Sequence, residues 1–374
     1  IIFIFICGLY FVNTLTQLTK MVFKHLNFLL KIATIFAITP NSTERVNWKF
    51  KFYYYLVTLL LTIYTFALQY NGGVLKRHQL NIFFFNVIRF LFFAFFISLT
   101  MAAPSKEKSW KNLFDNLHHL NNLKQINFGK IDNRLSPVMI FIVSFIASTV
   151  LSLFGSYVLY QRIGLSFVDE AFYFSMFRFI VLVYGFTLSE ILNLLFDKYK
   201  SVNMFFHHQK LPVSKNFLTE SEHTMNCLVK AVFSFNELFG SSILFLTVFT
   251  VIHMLVQVDF VIFYSDGQIP SALYSVIDVL FYLAIIMYVF MKCDAIKREG
   301  EEPLREMYKM RLHFGLKLKT NDCTMEQLVD LELLYKPIFS AAGYFELNKS
   351  TVLSYFGTAS TFLIILVQVD DILS

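Results

Sequence analysis

Seven apolar runs, near residues 51–70, 81–102, 136–160, 171–196, 232–264, 272–292 and 351–369, dictate what this chain can fold into. Each approaches or exceeds the length of about 20 residues that a helix needs to cross a hydrocarbon core of about 30 Å. Polar stretches separate each run from the next. A bilayer offers no water to backbone amides, so each run must close its hydrogen bonds within itself as a helix. The expected fold is an all-α membrane protein with seven transmembrane helices. Composition agrees: 46 of 374 residues are Phe and only 16% are charged, more apolar surface than soluble cores of this size can hide. The fifth run, 232–264, makes a helix of about 50 Å, and it is expected to protrude into water or tilt strongly.

Basic residues set the expected orientation. Lys20, Lys24, Lys31, Arg45, Lys49 and Lys51 precede span one, and Lys106, Lys108, Lys111, Lys124, Lys130 and Arg134 fill the second loop. Lys198, Lys200, Lys210, Lys215 and Lys230 mark the fourth loop, and the sixth is basic from Lys297 to Lys349. The other side carries only Lys76, Arg77 and Arg162. By the positive-inside rule the N-terminus is cytoplasmic and the C-terminus extracellular, the reverse of a G-protein-coupled receptor. The net charge of +6 then reflects topology and attraction to the inner leaflet of the lipid bilayer rather than nucleic-acid binding.

Smaller signals fit this arrangement. Cys7, Cys227, Cys293 and Cys323 fall on the inner side or in the first apolar run, so no disulfide is expected across the outer loops. The sequons at Asn41 and Asn348 also fall inside, where glycosylation does not occur. Residues 1–12 are apolar, but too short to span and without a basic lead. Residues 1–20 are therefore set apart as an N-terminal extension, with Met21 as the start or the chain a fragment, and 21–374 form one seven-helix domain. Between 294 and 349, Leu328, Leu331, Leu334 and Tyr335 share a helical face. That face reads either as part of a solvated cytoplasmic helix or as packing on the inner overhang of span five.

No catalytic pattern is visible. His118-His119 and His207-His208 are adjacent pairs, which project about 100° apart on a helix and cannot share a metal. HExxH, GxSxG and phosphate-loop motifs are missing, so neither an enzyme nor a cofactor is expected. A small-molecule transporter is the alternative reading, but the chain shows neither an internal repeat nor paired broken helices. Span three ends in Tyr160-Gln161-Arg162 rather than an Asp-Arg-Tyr-like triplet.

The last run carries the specific signal. It ends Thr361-Phe362-Leu363-Ile364-Ile365-Leu366-Val367-Gln368-Val369, with Thr361 and Gln368 two turns apart on nearly one face. Polar groups on a membrane helix need protein, water or ions as partners. Together with Ala342-Gly343-Tyr344-Phe345-Glu346-Leu347-Asn348, Gly357, Ala359 and Ser360, this stretch resembles the C-terminal region of insect gustatory receptors. Residues 29–40, Leu29 to Pro40, resemble that family's approach to its first span. Phe362 replaces the family's usual Tyr and Val369 its Phe, while the Thr, the spacing and the Gln are kept. Leu363 stands where the sugar-receptor branch carries Glu, which argues against that branch.

The resemblance implies a ligand-gated, non-selective cation channel in the plasma membrane of a sensory neuron, taking a small-molecule tastant. It implies a homo- or hetero-tetramer of related subunits, with the last helix lining one pore and the ligand held in the outer half of spans two to six. The pore face would include Thr361, Phe362, Ile365 and Gln368, with Phe362 and Ile365 closing a hydrophobic constriction that gates by dewetting. Asp370 and Asp371 would form a carboxylate ring at the mouth.

For the ligand, the orientation places Arg89, Tyr157, Tyr160, Tyr173, Arg178, His253, Gln257, Asp259, Tyr274, Asp278 and Tyr282 at outer or middle membrane depth. An intramembrane charge must find a partner, and Arg178 with Asp278 is the expected pair, with Arg89 and Asp259 as rivals. A salt bridge that merely fixes helix register, or a snorkelling Arg, is the competing explanation. Glu190, Asn236 and Glu237 fall nearer the inner side and are expected in cytoplasmic packing.

Overall fold

The computed structural model describes residues 79–122, 137–163, 167–208, 215–263, 269–318 and 336–373, with a few helical positions between 33 and 59. Span one and the face of Leu328 to Tyr335 therefore lie largely or wholly outside the described residues. Seven helices and one hairpin make up the rest: α1 (Gln79–Ser105), α2 (Glu107–Asn122), α3 (Pro137–Ile163), α4 (Phe167–His208), α5 (Lys215–Phe263), α6 (Ile269–Leu318), β1 (Ser340–Ala341), β2 (Phe345–Glu346) and α7 (Lys349–Leu373). By length and apolarity, Met139–Val158, Phe174–Met204, Glu222–Val258 and Ile269–Glu306 can each cross a membrane. The bent pair Asn86–Ala102 and Glu107–His118, at 65°, supplies a fifth candidate.

Three helices outgrow the bilayer. At 42, 49 and 50 residues, α4, α5 and α6 run about 63–75 Å at 1.5 Å per residue, at least twice a hydrocarbon core. The overhang expected of span five is thus shared with its neighbours, and it falls at the ends that the charge bias assigns to the cytoplasm. There α2 joins them. This helix was not foreseen in the second loop, yet its pattern is amphipathic: Trp110, Leu113 and Leu117 are buried while Lys108, Lys111 and Asp115 are not. Trp110 meets Phe239 of α5 edge-on at 5.3 Å, and Ser109 Oγ donates to Glu237 Oε2 at 2.6 Å.

The hairpin docks on the same overhang. Asn236 Nδ2 donates to the Ile338 carbonyl at 2.7 Å, and its Oδ1 accepts from the Ser340 amide at 3.1 Å. One turn on, a Cβ at Gly240 would stand 2.7 Å from the Ala342 nitrogen, so only glycine lets the hairpin lie this close. Gly343 turns the chain at φ 81°. Asn236 and Glu237 therefore take part in the packing that the sequence suggested.

The membrane-level core is built of rings. Phe177 of α4 meets Phe92 at 4.4 Å and Phe249 at 4.5 Å, both edge-on, and stacks on Tyr282 at 5.5 Å. α3 lies against α4 and turns Met139, Val143, Ile146, Val150 and Leu153 outward, a heptad-like apolar face of the kind lipid covers. α7 begins at an Asn348 cap, whose Oδ1 accepts from the Thr351 amide at 2.9 Å. The sequon asparagine thus has a structural task.

Candidate functional site

Burying an arginine in a membrane protein demands a carboxylate, and α4 and α6 supply the pair. Arg178 Nη2 donates to Asp278 Oδ1 at 2.6 Å and its Nε reaches the same oxygen at 3.2 Å. Both side chains are at most 2% exposed. The guanidinium also donates to Ser152 Oγ of α3 at 2.8 Å and to the Tyr274 hydroxyl at 2.9 Å. Asp278 Oδ2, the oxygen that Arg178 leaves, is 2.8 Å from His253 Nε2 of α5. A carboxylate only accepts, so His253 donates through Nε2. One charged network thereby ties α3, α4, α5 and α6 together at a single level, the geometry in which a buried ion pair survives desolvation.

Aromatic walls close the network off. The His253 ring stacks on Phe249 at 5.3 Å and meets Tyr282 edge-on at the same separation. The Tyr282 hydroxyl is buried beside the ions without a well-formed hydrogen bond, and so is that of Ser148 on α3. Gly155 of α3 leaves room for Tyr274, whose ring a Cβ there would meet at 2.5 Å.

The expected pair is thus the observed one, with Arg178, His253, Asp278 and Tyr282 in one cluster and Tyr274 on its edge. Gln257 is half-buried one turn from His253. Arg89 is half-buried on α1 and belongs to none of these contacts. Tyr157 and Tyr160 stand on the exposed face of α3, away from the cluster. The side chains of Tyr173 and Asp259 lie outside the described residues. Ser152 and Gly155 went unnoticed in the sequence. Their signal was the stripe of small residues Ser148, Ser152 and Gly155 at helical spacing, which lets helices approach closely.

Below the network an apolar cleft separates α5 and α6 from α7. Thr247, Thr250, Val251 and Met254 face Leu283, Ile286 and Met287 across it, with Val352, Tyr355 and Phe356 of α7 as its third wall. Both threonine hydroxyls donate back to their own helix, to the Ile243 and Leu246 carbonyls. Beyond the cleft, α7 buries Val352 and Ala359 and leaves Gly357, Thr361, Ile364 and Gln368 exposed along one stripe. Thr361 Oγ1 donates to the Gly357 carbonyl at 3.0 Å. The side chains of Phe362, Ile365, Asp370 and Asp371 lie outside the described residues.

Residues 26–372 match the model of a 7tm chemosensory receptor family. The chain belongs to that family. The fold of this receptor is also that of a solved structure, the insect olfactory receptor OR5 from Machilis hrabei, with a TM-score of 0.63 at 14% identity over 92% of this chain and 99% of that one. The same olfactory receptor in complex with eugenol aligns over equal shares at 13% identity, with a TM-score of 0.62. No curated protein matches the sequence. The receptor is accordingly a multi-pass membrane protein of a chemosensory family, not of an enzyme family.

Proposed function

We propose that the receptor is gustatory: a tastant-gated, non-selective cation channel in the plasma membrane of a sensory neuron, with its N-terminus inside. The ion-paired network of Arg178, Asp278, His253 and Tyr274 carries this reading. It holds donors and acceptors against aromatic rings, which suits a small amphipathic or polyhydroxylated ligand with one apolar face. A ligand that hydrogen-bonds with Tyr274 or His253 competes with bonds that now hold α5 and α6 in register. The outer half of one of these helices then draws inward, and the cleft passes the shift to Val352, Tyr355 and Phe356.

The rest of the reading is a homo- or hetero-tetramer of related subunits with α7 at its axis. A single subunit leaves the Thr361 and Gln368 face of α7 uncovered, and polar groups there suit a water-filled axis better than lipid. Phe362 and Ile365 would narrow that axis, and Asp370 and Asp371 would draw cations to its mouth. The Thr361 to Gln368 motif, with Leu363 in place of Glu, argues against the sugar branch, though not against every sugar as ligand.

The test is whole-cell current in a heterologous cell expressing the chain, perfused with plant bitter compounds and sugars. A ligand-evoked cation current without added G-protein signalling is expected, altered by Gln368→Ala and by Arg178→Ala. An unchanged response in both variants would sink the reading. Substrate uptake without current would return it to a transporter.

A further inference from the structure

The first two turns of α7 carry a stripe that the proposed pore face does not use. Lys349, Leu353 and Phe356 follow one another at helical spacing, so they line up along one side. Lys349 is exposed, Leu353 is 72% exposed, and Phe356, at 37%, is the open lip of the cleft that α7 shares with α5 and α6. Behind this lip the Tyr355 ring meets Phe345 at 5.5 Å and Phe290 at 6.2 Å, both edge-on, which fixes that wall against the hairpin and α6. The cleft and the Thr361 stripe occupy opposite faces of α7. Val352 and Ala359 are buried with Tyr355 half-buried, while Gly357, Thr361, Ile364 and Gln368 are exposed.

Chemistry selects what fills such a cleft. Its surface is wholly apolar, because Thr247 and Thr250 turn their hydroxyls back to their own helix. Apolar cavities stay dry, and a polar ligand would lose its hydrogen bonds there. A hydrocarbon chain loses nothing. At the other end of the stripe, Lys349 lies about 10 Å along the helix from Phe356. The charge bias assigns this end of α7 to the inner leaflet, whose anionic lipids attract such cations. Lys297 and Arg298 of α6 are already paired with Glu346 and Asp294, whereas Lys349 makes no ion pair among the described residues. A cation at headgroup level and an apolar slot one to two turns deeper match the two ends of one lipid.

We infer that the cleft binds an anionic phospholipid of the inner leaflet, with its phosphate at Lys349 and one acyl chain running past Leu353 and Phe356 into the space between α7 and α5 and α6. The chain fills the gap that separates Val352 and Tyr355 from Thr250 and Ile286, so it sets how far α7 stands from the rest of the subunit. Any influence on current rests on the proposed place of α7 at the pore, whereas binding does not.

The experiment places the purified full-length protein in phosphatidylcholine nanodiscs with a small fraction of phosphatidylserine that carries a diazirine in its acyl chain. Irradiation joins the chain to the side chain it touches, and peptide mass spectrometry locates the adduct. Adducts are expected at Met254 and Met287, above the level on the α3 face around Val143, and fewer from a phosphatidylcholine probe with the same chains. Thr250→Trp fills the cleft and should abolish these adducts while keeping those near Val143, which also report a folded protein. Lys349→Gln changes an exposed side chain only and should bring the two probes level. Cleft labelling no higher than at Val143, or equal labelling by both probes in the wild type, overturns the site. So does a photo-crosslinker attached at Met287→Cys that captures a neighbouring subunit instead of lipid, the result of a second copy filling the cleft. Labelling is read without current, so this site and the channel can fail separately.

Discussion

Asp278 serves two donors at once, bonded to Arg178 through one oxygen and to His253 through the other. Removing it strands a guanidinium in a dry core, so Asp278→Ala is expected to cost roughly 3–5 kcal/mol. The double variant Arg178→Met/Asp278→Leu removes both charges and should cost far less, and thermal melts of the purified proteins decide. Equal losses would mean that the pair stabilises the fold by itself. Gly155 acts on the same cluster through space alone. Gly155→Ala places a methyl 2.5 Å from the Tyr274 ring, pushing the hydroxyl off Arg178, so the tastant dose-response should shift with surface expression retained. The Arg178–Asp278 pairing was legible in the sequence because charges in apolar runs are rare and need partners. Ser152 and Gly155 were not, because small residues announce closeness without saying to what.

At the scale of elements, the hairpin is where sequence reading stopped short. Ala342 to Asn348 stood out as a motif, but its role emerges only from contact with α5, where Asn236 grips two backbone positions and Gly240 makes room. Such a two-residue strand pair has no periodicity to detect. Glu346 then joins hairpin to α6 through Lys297 Nζ at 2.8 Å, while its carbonyl accepts from Thr351 in the first turn of α7. The hydrogen bond from Lys297 holds the Glu346 carboxyl below its usual range. A depressed folded value means that the contribution is complete above the unfolded pKa, near 4.5, and is lost as pH falls through the folded one. With the carboxylate 46% exposed, the loss should stay under about 1 kcal/mol. Thermal midpoints between pH 7 and the acid limit should fall slightly more for wild type than for Glu346→Gln. Identical pH profiles would show that the bridge contributes nothing.

Over the whole molecule, two exposed helical faces look alike and should behave oppositely. Val143 on α3 and Ile364 on α7 are 64% and 58% exposed in the single subunit, and solvent exposure alone does not separate lipid from water. Their neighbours do. Around Val143 the outward stripe runs through Met139, Ile146, Val150 and Leu153, all apolar, whereas Ile364 shares its stripe with Thr361 and Gln368. Seven runs were countable in the sequence because hydropathy has a length scale, but which face of each run meets lipid was not, because nearly every position is apolar. If α7 lines a tetrameric pore, a thiol at 364 sits in water, where it can ionise and react. A thiol at 143 sits in hydrocarbon and stays protonated. A charged, membrane-impermeant methanethiosulfonate reagent should therefore modify Ile364→Cys and reduce tastant-evoked current, while leaving Val143→Cys unmodified. The native Cys227 and Cys293 are buried, which limits background from the described residues. Modification at 143 and protection at 364 would place α7 against lipid and remove it from the conduction path.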